Sequence, residues 1–267
     1  KVFDLETQLF PSLIEMKNKT VLITGSSKRI GRSIALKLAE KGFNIAIHYN
    51  KSRKESDSLQ KELETYKIKV KTFKLDLQKT NRIKPFFKSI VNYFGEINVL
   101  INNASTFEFD SIKSSTINSY DKHLDVNLKA PFFLSKYFVE AIGKKKGNII
   151  NILDQRVMNT TPYFTSYTIS KSALLTLTRS LALSLAPKIR VNAIAPGPTL
   201  KSIRQTKGEF EKQILRTPLK KKVSLEEINN GILFLLKSET ITGQTILLDS
   251  GQNMGWAHTK SIKFIDD

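Results

Sequence analysis

Short apolar runs alternate with segments of helical periodicity along most of the 267-residue chain. The runs are rich in Val, Ile and Leu, as in buried strands, and the segments between them repeat apolar residues every three or four positions, as in amphipathic helices. Strands are predicted at residues 20–24, 44–49, 69–75, 98–101, 148–153, 189–195 and 245–248. Helices are predicted at residues 30–41, 53–66, 80–94, 117–142 with a kink at Pro131, 166–185 and 224–236.

The alternation of strands and helices predicts the fold class. Strands joined through helices form a parallel sheet with right-handed crossovers and helices on both faces. No linker, repeat or low-complexity stretch interrupts the pattern. We therefore expect an α/β fold with one Rossmann-like domain, a doubly wound parallel sheet of about seven strands. The domain is predicted at residues 18–267, after an N-terminal extension at residues 1–17.

Polar residues and turn residues follow the predicted strands directly. They are Gly25, Asp76, Asn102, Asp154 and Pro196. In a doubly wound sheet, ligands bind outside the carboxyl ends of the strands. We therefore expect these residues to lie along one edge of the sheet and to surround a ligand.

The stretch DQRVMNTTPYFTSYTISK contains the candidate catalytic residues Asp154, Tyr167 and Lys171. Tyr167 and Lys171 are four residues apart, so they lie on one face of a helix, and a nearby ammonium is expected to lower the phenol pKa toward neutrality. Asp154 opposes formation of a phenolate, which favours a reductase that uses the phenol as an acid. The alternative is an ordinary Tyr with a solvated Lys.

The first predicted strand leads into the turn TGSSKRIG. Gly25 and Gly31 stand where the backbone must approach a pyrophosphate at a helix N-terminus. Arg29 stands where a middle glycine is expected, so the dinucleotide fingerprint is incomplete. A tight turn with two glycines is the alternative interpretation.

The second predicted strand ends in HYNKSRK, without the Asp or Glu that binds the ribose of NAD. Basic and polar residues are found there instead, namely His48, Lys51, Ser52 and Arg53, with Lys28 and Arg29 in the neighbouring turn. These groups attract a 2′-phosphate, so we predict NADP(H) rather than NAD(H). Asp76 is placed to accept a hydrogen bond from the adenine amino group, or it simply ends a strand.

Composition and charge narrow the function classes. The 43 Lys and Arg residues exceed the 24 Asp and Glu residues, giving a net charge of +19, which suits either a nucleic acid or an anionic cofactor. No nucleic-acid-binding motif accompanies the charge, so we expect no nucleic-acid partner.

We expect no membrane partner, because no apolar run is long enough to span a bilayer. We expect a cytoplasmic location, because no export signal is recognisable. The absence of Cys and three scattered His residues predict no metal site.

Taken together, these motifs resemble the short-chain dehydrogenase/reductase family over residues 18–252. TGSSKRIG, the Leu75–Asp76 pair, NNA, VNLKAPF, YTISK and APGPT occur in the family's order. Within the family, the chain is most similar to the pteridine reductases and dihydromonapterin reductases. That likeness rests on Arg29, on Ser105 and Phe107 in NNASTF, on HYNKS, and on Asp154, which stands thirteen residues before Tyr167 where the family has a catalytic Ser.

The resemblance implies roles for individual residues. The implied catalytic residues are Asp154, Tyr167, Lys171 and Asn127. Of these, Asn127 would hold a water in the proton path. The implied cofactor-binding residues are Gly25, Lys28, Arg29, Ile30, Gly31, His48, Tyr49, Asn50, Lys51, Ser52, Asp76, Leu77, Asn103, Ala104, Ser105, Tyr167, Lys171, Pro196, Gly197 and Thr199. The implied substrate-binding residues are Arg29, Ser105, Phe107, Asp154 and Tyr167, with Phe107 stacked on the substrate ring.

The expected function is NADPH-dependent reduction of a pterin-type substrate, with Tyr167 as the proton donor. Two alternatives stay open: a reductase of another carbonyl, such as a 3-oxoacyl thioester, and a non-catalytic protein that binds a dinucleotide or a nucleic acid. The family also implies a homotetramer or a homodimer. The basic segment at residues 200–223 is expected to form a substrate flap, and nothing in it identifies the substrate.

Overall fold

Seven parallel strands form one sheet in the computed structural model, which describes residues 16–255. The strands are β1 (Thr20–Ile23), β2 (Asn44–Tyr49), β3 (Val70–Lys74), β4 (Val99–Asn102), β5 (Gly147–Ile152), β6 (Ile189–Pro196) and β7 (Thr245–Leu248). Their order is β3-β2-β1-β4-β5-β6-β7, and every neighbouring pair is parallel. The predicted doubly wound, Rossmann-like sheet is confirmed.

The order in which the chain adds strands to the sheet reverses at the centre. The chain runs outward from β1 to β3 and then returns, so that β4 pairs with the other side of β1. Such a switch point opens a crevice at the carboxyl ends of the two central strands, and ligands of doubly wound sheets bind in it. The loops after β1 and β4 therefore define the expected ligand crevice.

Helices connect the strands and cover both faces of the sheet. Within residues 16–255 they are α1 (Arg29–Glu40), α2 (Arg53–Leu63), α3 (Ile83–Phe94), α4 (Ile117–Leu124), α5 (Ala130–Ile142), α6 (Thr165–Leu185), α7 (Lys207–Leu215) and α8 (Leu225–Lys237). Successive residues of β1 serve opposite faces: Val21 and Ile23 pack with α1, α2 and α8, whereas Leu22 packs with α3, α5 and α6. Burial on both faces explains why central strands such as β1 and β4 are mostly apolar, whereas the edge strand β3 combines buried and exposed residues.

The predicted helix at 117–142 is interrupted before its proline. A π-helical turn, Asp125–Lys129, separates α4 from α5, and Pro131 lies in the first turn of α5. Proline has no N–H for the carbonyl four residues earlier, here that of Asn127, and its ring crowds that carbonyl. The chain accommodates it with a wider turn, which places Asn127 at the irregularity.

Two segments differ from the sequence-based expectation. The flap at 200–223 contains α7, whose N-cap Thr206 forms a capping box with Glu209. Helical periodicity there is weak because none of the residues in α7 is buried. Met16 is buried in the core, so the domain begins at or before this residue rather than at 18. The rest of the predicted extension, residues 1–15, lies outside the described residues.

Candidate active site

The turn between β1 and α1 packs tightly against the loop that follows β4. Gly25 has a φ of 63°, a conformation that glycine adopts without strain. A Cβ on Gly31 would lie 2.6 Å from Nδ2 of Asn103 and 2.8 Å from Cα of Ser26. Both glycines are therefore required by the backbone path. The turn leads into the N-terminus of a twelve-residue helix, the arrangement that accommodates a pyrophosphate.

The loop after β4 holds this turn in place. Nδ2 of Asn103 donates to the carbonyl oxygens of Thr24, at 2.8 Å, and Gly25, at 3.2 Å. The backbone N–H of Ala104 donates to Oγ1 of Thr24 at 2.9 Å. Asn103 and Ala104 thus lie beside the glycine turn, as expected for residues that line a cofactor crevice.

Arg29 connects the turn to the flap. It opens α1 with a φ of 54°, and its guanidinium donates to the backbone oxygens of Lys201 at 3.0 Å and Leu200 at 3.1 Å. The neighbouring Ile30 packs its side chain against the core. The sequence could not indicate this link, because the partners are separated by more than 170 residues. Contacts of Arg29 with phosphates or substrate stay predictions.

His48 does not supply positive charge to the cofactor site. It is buried, its Nδ1 accepts the N–H of Gly25, and its Nε2 lies 3.0 Å from the carbonyl oxygen of Leu75. Burial lowers the pKa of His48 to about 4, despite opposing effects of the Leu75 carbonyl and Asp76. The expectation that His48 belongs to a basic clamp is therefore wrong, since the imidazole is neutral and supports the turn.

Two other basic residues of the predicted clamp, Lys51 and Arg53, line a cleft at the ends of β2 and β3. The cleft has a volume of about 900 Å³, and Tyr49, Asn50, Lys51 and Arg53 are among its lining residues. Arg53 pairs with Asp57 at 3.1 Å, while Lys28, in the turn after β1, pairs with Glu55 at 2.6 Å. The N-cap of α2 is Ser52. Lys51 is exposed and available to an anion at this edge.

Asp76 and Leu77 follow β3 and differ in exposure. Oδ1 of Asp76 accepts the N–H of Gln78 at 3.2 Å, and Asp76 also lines the cleft. Leu77 is buried in the core beneath α3, so its side chain is not available to a ligand. Only the backbone of Leu77 can contribute to the predicted adenine site.

Tyr167, Asp154 and Lys171 meet at the carboxyl end of β5. The phenol of Tyr167 donates to Oδ2 of Asp154 at 3.0 Å. Nζ of Lys171 donates to the carbonyl oxygen of Ile152 at 2.7 Å and lies 5.9 Å from the centre of the Tyr167 ring. Tyr167 and Lys171 are both buried in α6, one turn apart. The structure thus brings the three predicted residues together.

Electrostatics at this group differ from the sequence-based expectation in one respect. Burial raises the pKa of the Tyr167 phenol well above its usual value, and the Asp154 carboxylate raises it further. Burial also lowers the pKa of Lys171 to about 8. The expectation that Lys171 brings the phenol pKa toward neutrality is therefore wrong. The opposing effect of Asp154 is in the expected direction, and it keeps the phenol protonated.

The side chain of Asn127 binds the loop that follows β4. Its Oδ1 accepts the N–H of Thr106 at 2.8 Å and the hydroxyl of Ser105 at 3.2 Å. Its Nδ2 donates to the Thr106 carbonyl and to Oγ of Ser170, each at 3.0 Å. These bonds use the donors and acceptors of the amide. The side chain of Asn127 is thus engaged by protein partners, and its role in holding a water stays a prediction.

An aromatic wall stands beside the Tyr167 phenol. The rings of Phe107 and Phe164 are stacked, with centres 4.5 Å apart and planes inclined by 7°, and the ring of Tyr167 meets Phe107 edge-on at 4.7 Å. Arg156 lies against this wall and pairs with Asp154 at 3.2 Å. Sequence reasoning missed Arg156, although its position two residues after Asp154 was a signal.

A second buried group supports the wall and was also missed. The hydroxyl of Ser166 bonds to the Asp110 carboxylate and lies 2.7 Å from Nδ1 of His123, whose Nε2 accepts the N–H of Glu108 at 3.1 Å. Burial lowers the pKa of His123. Residues near Phe107 are thereby tied to the N-terminus of α6, which carries Tyr167. Asp110, His123 and Ser166 are far apart in the sequence, so their contact could not be predicted from local patterns.

The end of β6 closes the opposite side of the crevice. The N–H of Gly197 donates to the carbonyl oxygen of Leu248 at 2.8 Å, and a Cβ there would lie 2.7 Å from Cα of Asp249. Oγ1 of Thr199 donates to the carbonyl of Gly197 at 3.1 Å. Pro196 and Thr199 are buried at this edge. Gly197 and Thr199 follow the strand end, whereas Pro196, expected directly after the strand, is its last residue.

Residues 16–255 contain neither a cluster of metal ligands nor a helix suited to crossing a membrane. That part of the chain contains no group of three or more His, Asp or Glu side chains arranged to hold a metal ion. None of its helices combines the length and apolar character that crossing a bilayer requires.

Similar proteins share the fold and much of the sequence. The family model described as enoyl-(acyl carrier protein) reductase matches residues 25–253. The 3-oxoacyl-(acyl-carrier-protein) reductase FabG of Staphylococcus epidermidis is 32% identical over 243 residues, which cover 89% of this chain and 100% of the relative.

Solved structures give a second likeness. FolM alternative dihydrofolate reductase 1 from Brucella suis, in complex with NADP, is 39% identical with a TM-score of 0.88, covering 93% of this chain and 100% of the other. The same enzyme from Brucella canis, complexed with NADP, is 38% identical with a TM-score of 0.88, covering 92% and 98%.

Proposed function

The chain belongs to the short-chain dehydrogenase/reductase family, and on that premise we propose that it reduces a pterin-type substrate. The substrate class comprises dihydropteridines, biopterin or monapterin, and dihydrofolate. The observation that carries the proposal is the hydrogen bond from the Tyr167 phenol to the Asp154 carboxylate beside a wall of stacked aromatic rings. The likeness to the Brucella FolM enzymes supports the same substrate class.

Asp154 is the residue that favours a pterin over a simple carbonyl. A hydroxyl at this position can only steer a carbonyl oxygen. A carboxyl group can accept hydrogen bonds from an aminopterin ring or pass a proton to a ring nitrogen. Its partner Tyr167 is buried and protonated, which suits a proton donor. The pair therefore fits reduction of a C=N bond.

The cofactor is NADP(H), as the sequence predicted. The glycine turn would receive its pyrophosphate, because the turn leads into the N-terminus of α1. Lys51 and other groups of the cleft, together with the neighbouring Lys28 and Ser52, would hold the 2′-phosphate, and Lys171 the nicotinamide ribose. When bound, the reduced nicotinamide supplies the hydride.

The chain's own groups handle the proton and the substrate ring. The Tyr167 phenol donates a proton to the substrate, and Asp154, which accepts from that phenol, binds the ring or relays the proton. Phe164 already covers one face of Phe107, so we propose that the pterin stacks on the other face. Ser105 and Arg29 are proposed to contact the substrate edge.

A second candidate function has its own support. The 32% identity to FabG favours reduction of a 3-oxoacyl thioester. Asp154 argues against it, since the carbonyl chemistry of the family uses a hydroxyl there. A non-catalytic protein that binds a dinucleotide or a nucleic acid is the third candidate, and the Tyr167–Asp154 pair argues against it.

Assays of NADPH consumption distinguish these candidates. Dihydrobiopterin and dihydrofolate are compared with an acetoacetyl thioester, each with the wild-type protein and with Tyr167→Phe. Turnover of a pterin or folate that Tyr167→Phe lacks is the expected result. Turnover of the thioester alone would favour the FabG-like function instead. A protein that binds NADPH but reduces none of the three would favour the non-catalytic alternative.

Assembly and location form the last part of the proposal. We expect a homotetramer or homodimer in the cytoplasm. Phe132 on α5 is 48% exposed and Leu183 on α6 is 85% exposed, so apolar surface is available for a second copy. Light scattering of the purified protein gives the mass, and a monomer at micromolar concentration would contradict the expectation.

A further inference from the structure

Arg156 binds the Asp154 carboxylate through both its main chain and its side chain. Its backbone N–H donates to Oδ1 of Asp154 at 2.9 Å, and its Nη1 lies 3.2 Å from each carboxylate oxygen. The side chains of Arg156 and Asp154 are only 16% and 17% exposed. An ion pair with this little exposure is screened less by solvent than pairs of fully exposed residues, and its two contacts restrain the carboxylate.

The aromatic wall in turn contacts the guanidinium. Cζ of Arg156 lies 5.4 Å from the centre of the Phe107 ring and 5.2 Å from that of Phe164. Arginine stacks favourably on aromatic faces at such distances. Nε of Arg156 is buried and has no hydrogen-bond partner in the described part of the chain. The rings, rather than a polar partner at Nε, therefore restrain this side of the guanidinium.

The two sets of contacts leave one oxygen of Asp154 facing the phenol. The backbone N–H of Arg156 donates to Oδ1 of Asp154, and the Tyr167 phenol donates to Oδ2 at 3.0 Å. A carboxylate without Arg156 could rotate about its terminal bond, because such torsions are broad. The orientation that Tyr167 needs thus depends on Arg156.

We propose that Arg156 is a positioning residue, which acts through Asp154 to hold one carboxylate oxygen against the Tyr167 phenol. The Phe107–Phe164 pair fixes the guanidinium that does this. The inference deepens the proposed function and rests on Asp154 and Tyr167 as its proton-handling pair. Arg156 itself touches the carboxylate and the rings, not the reacting atoms.

The charges around the phenol agree with this geometry. Burial and Asp154 raise the pKa of Tyr167, whereas Arg156 lowers it. Lys171 on α6 and His123 on α4 also face the ring, at 5.9 Å and 6.0 Å from its centre. Removing Arg156 is therefore expected to leave a weaker acid as well as a misplaced carboxylate.

A double-mutant cycle tests whether Arg156 acts through Asp154. The variants are Arg156→Gln, Asp154→Asn and the double variant, with Arg156→Lys to retain charge without the planar fork. We expect Arg156→Gln to lower kcat on the order of tenfold to a hundredfold in the wild-type background. In the Asp154→Asn background the same change should have a clearly smaller effect, limited to the direct influence of Arg156 on the phenol pKa, because residues that act as a unit are non-additive.

Controls separate positioning from folding. Arg179→Gln makes the same change at an exposed site on α6 and should leave kcat unaltered. NADPH affinity and the melting temperature are measured for each variant, and Arg156→Lys should recover part of kcat if the protein folds. Equal losses of kcat in both backgrounds, or no loss in either, would overturn the inference.

A crystal structure of Arg156→Gln supplies a readout that needs no substrate. We expect Asp154 to turn away from Tyr167 in it; a retained Tyr167–Asp154 bond would overturn the inference. The kinetic cycle is run on whichever substrate the wild type reduces, pterin or thioester. Failure of the proposed function appears as a wild type that reduces no pterin, whereas failure of this inference appears as additivity or as an unmoved Asp154.

Discussion

Nδ1 of His48 accepts the backbone N–H of Gly25 at 2.9 Å, which ties the end of β2 to the glycine turn. An accepting nitrogen must be unprotonated, so the proton of the neutral ring is assigned to Nε2, which faces the Leu75 carbonyl. The ring also meets Phe86 edge-on at 5.5 Å. Protonation of His48 would thus break a bond that shapes the turn.

The stability of the protein should fall as His48 is protonated. Its pKa is about 4 in the folded chain against 6.5 when unfolded, because burial disfavours the charged ring. The unfolded chain therefore binds the extra proton first as pH falls below 6.5. The contribution is present above pH 6.5 and is lost toward pH 4, by up to about 3 kcal/mol of unfolding free energy. Urea unfolding at several pH values measures it.

The matched variant is His48→Asn, whose amide oxygen can still accept from Gly25. It is expected to be less stable at pH 7 and to show a shallower loss of stability between pH 6.5 and 4. The carboxylates and His123 titrate in both proteins, so the difference between the two curves isolates His48. Parallel curves would contradict the prediction.

Replacing Tyr167 with Phe should abolish most of the reductase activity. The change removes the hydroxyl that donates to Asp154 and leaves the ring contact with Phe107. We expect kcat to fall by at least about a hundredfold, the usual effect of losing a general acid, with NADPH affinity unaltered. Steady-state kinetics and fluorescence titration measure the two quantities. Wild-type activity in the variant would exclude Tyr167 as the proton donor.

Reversing the charge of Lys51 should weaken binding of NADPH but not of NADH. Lys51 is exposed beside the cleft at the ends of β2 and β3, where a 2′-phosphate would be attracted. Lys51→Asp is expected to raise the Kd for NADPH by about tenfold to a hundredfold, the effect of a lost charge-assisted bond. Titrations with both cofactors at low salt test this.

Lys188→Asp is the matched control for this charge reversal. Lys188 is exposed just before β6, at the amino end of that strand, whereas the cleft lies at the carboxyl ends of β2 and β3. Lys188→Asp changes the net charge by the same amount as Lys51→Asp and should leave the ratio of the Kd values for NADPH and NADH unaltered. An equal loss of NADPH affinity in both variants would indicate a general field effect, not a local contact.

Adding a methyl group at Gly31 should destabilise the turn. Its Cβ would crowd Nδ2 of Asn103 and Cα of Ser26, so the loop after β4 must shift. We expect Gly31→Ala to lower the free energy of unfolding by about 1 to 3 kcal/mol and to weaken NADPH binding. Gly208→Ala in α7 has no neighbour within 4 Å and should stabilise the protein by about 0.5 to 1 kcal/mol. Denaturant unfolding compares them; equal stabilities would contradict the prediction.

Local pattern was sufficient to predict the sheet and most helices. Strands such as β2 and β7 have the predicted bounds, because each is a short, mostly apolar run that a polar residue, Asn50 or Asp249, follows directly. The helix α7 was missed because its residues are not buried and leave no apolar period. The break before α5 was placed at Pro131, but the chain relieves the missing N–H over the preceding π turn.

The fold class, the family and the positions of Tyr167, Asp154 and the glycine turn could be predicted from the chain alone, because these depend on spacing along one or two elements. What each side chain faces became apparent only in the folded protein. Burial keeps His48 neutral and raises the phenol pKa, and the distant partners of Arg29, His123 and Arg156 appear only after folding. Charge state and contact depend on what surrounds a group in three dimensions, and spacing does not encode that.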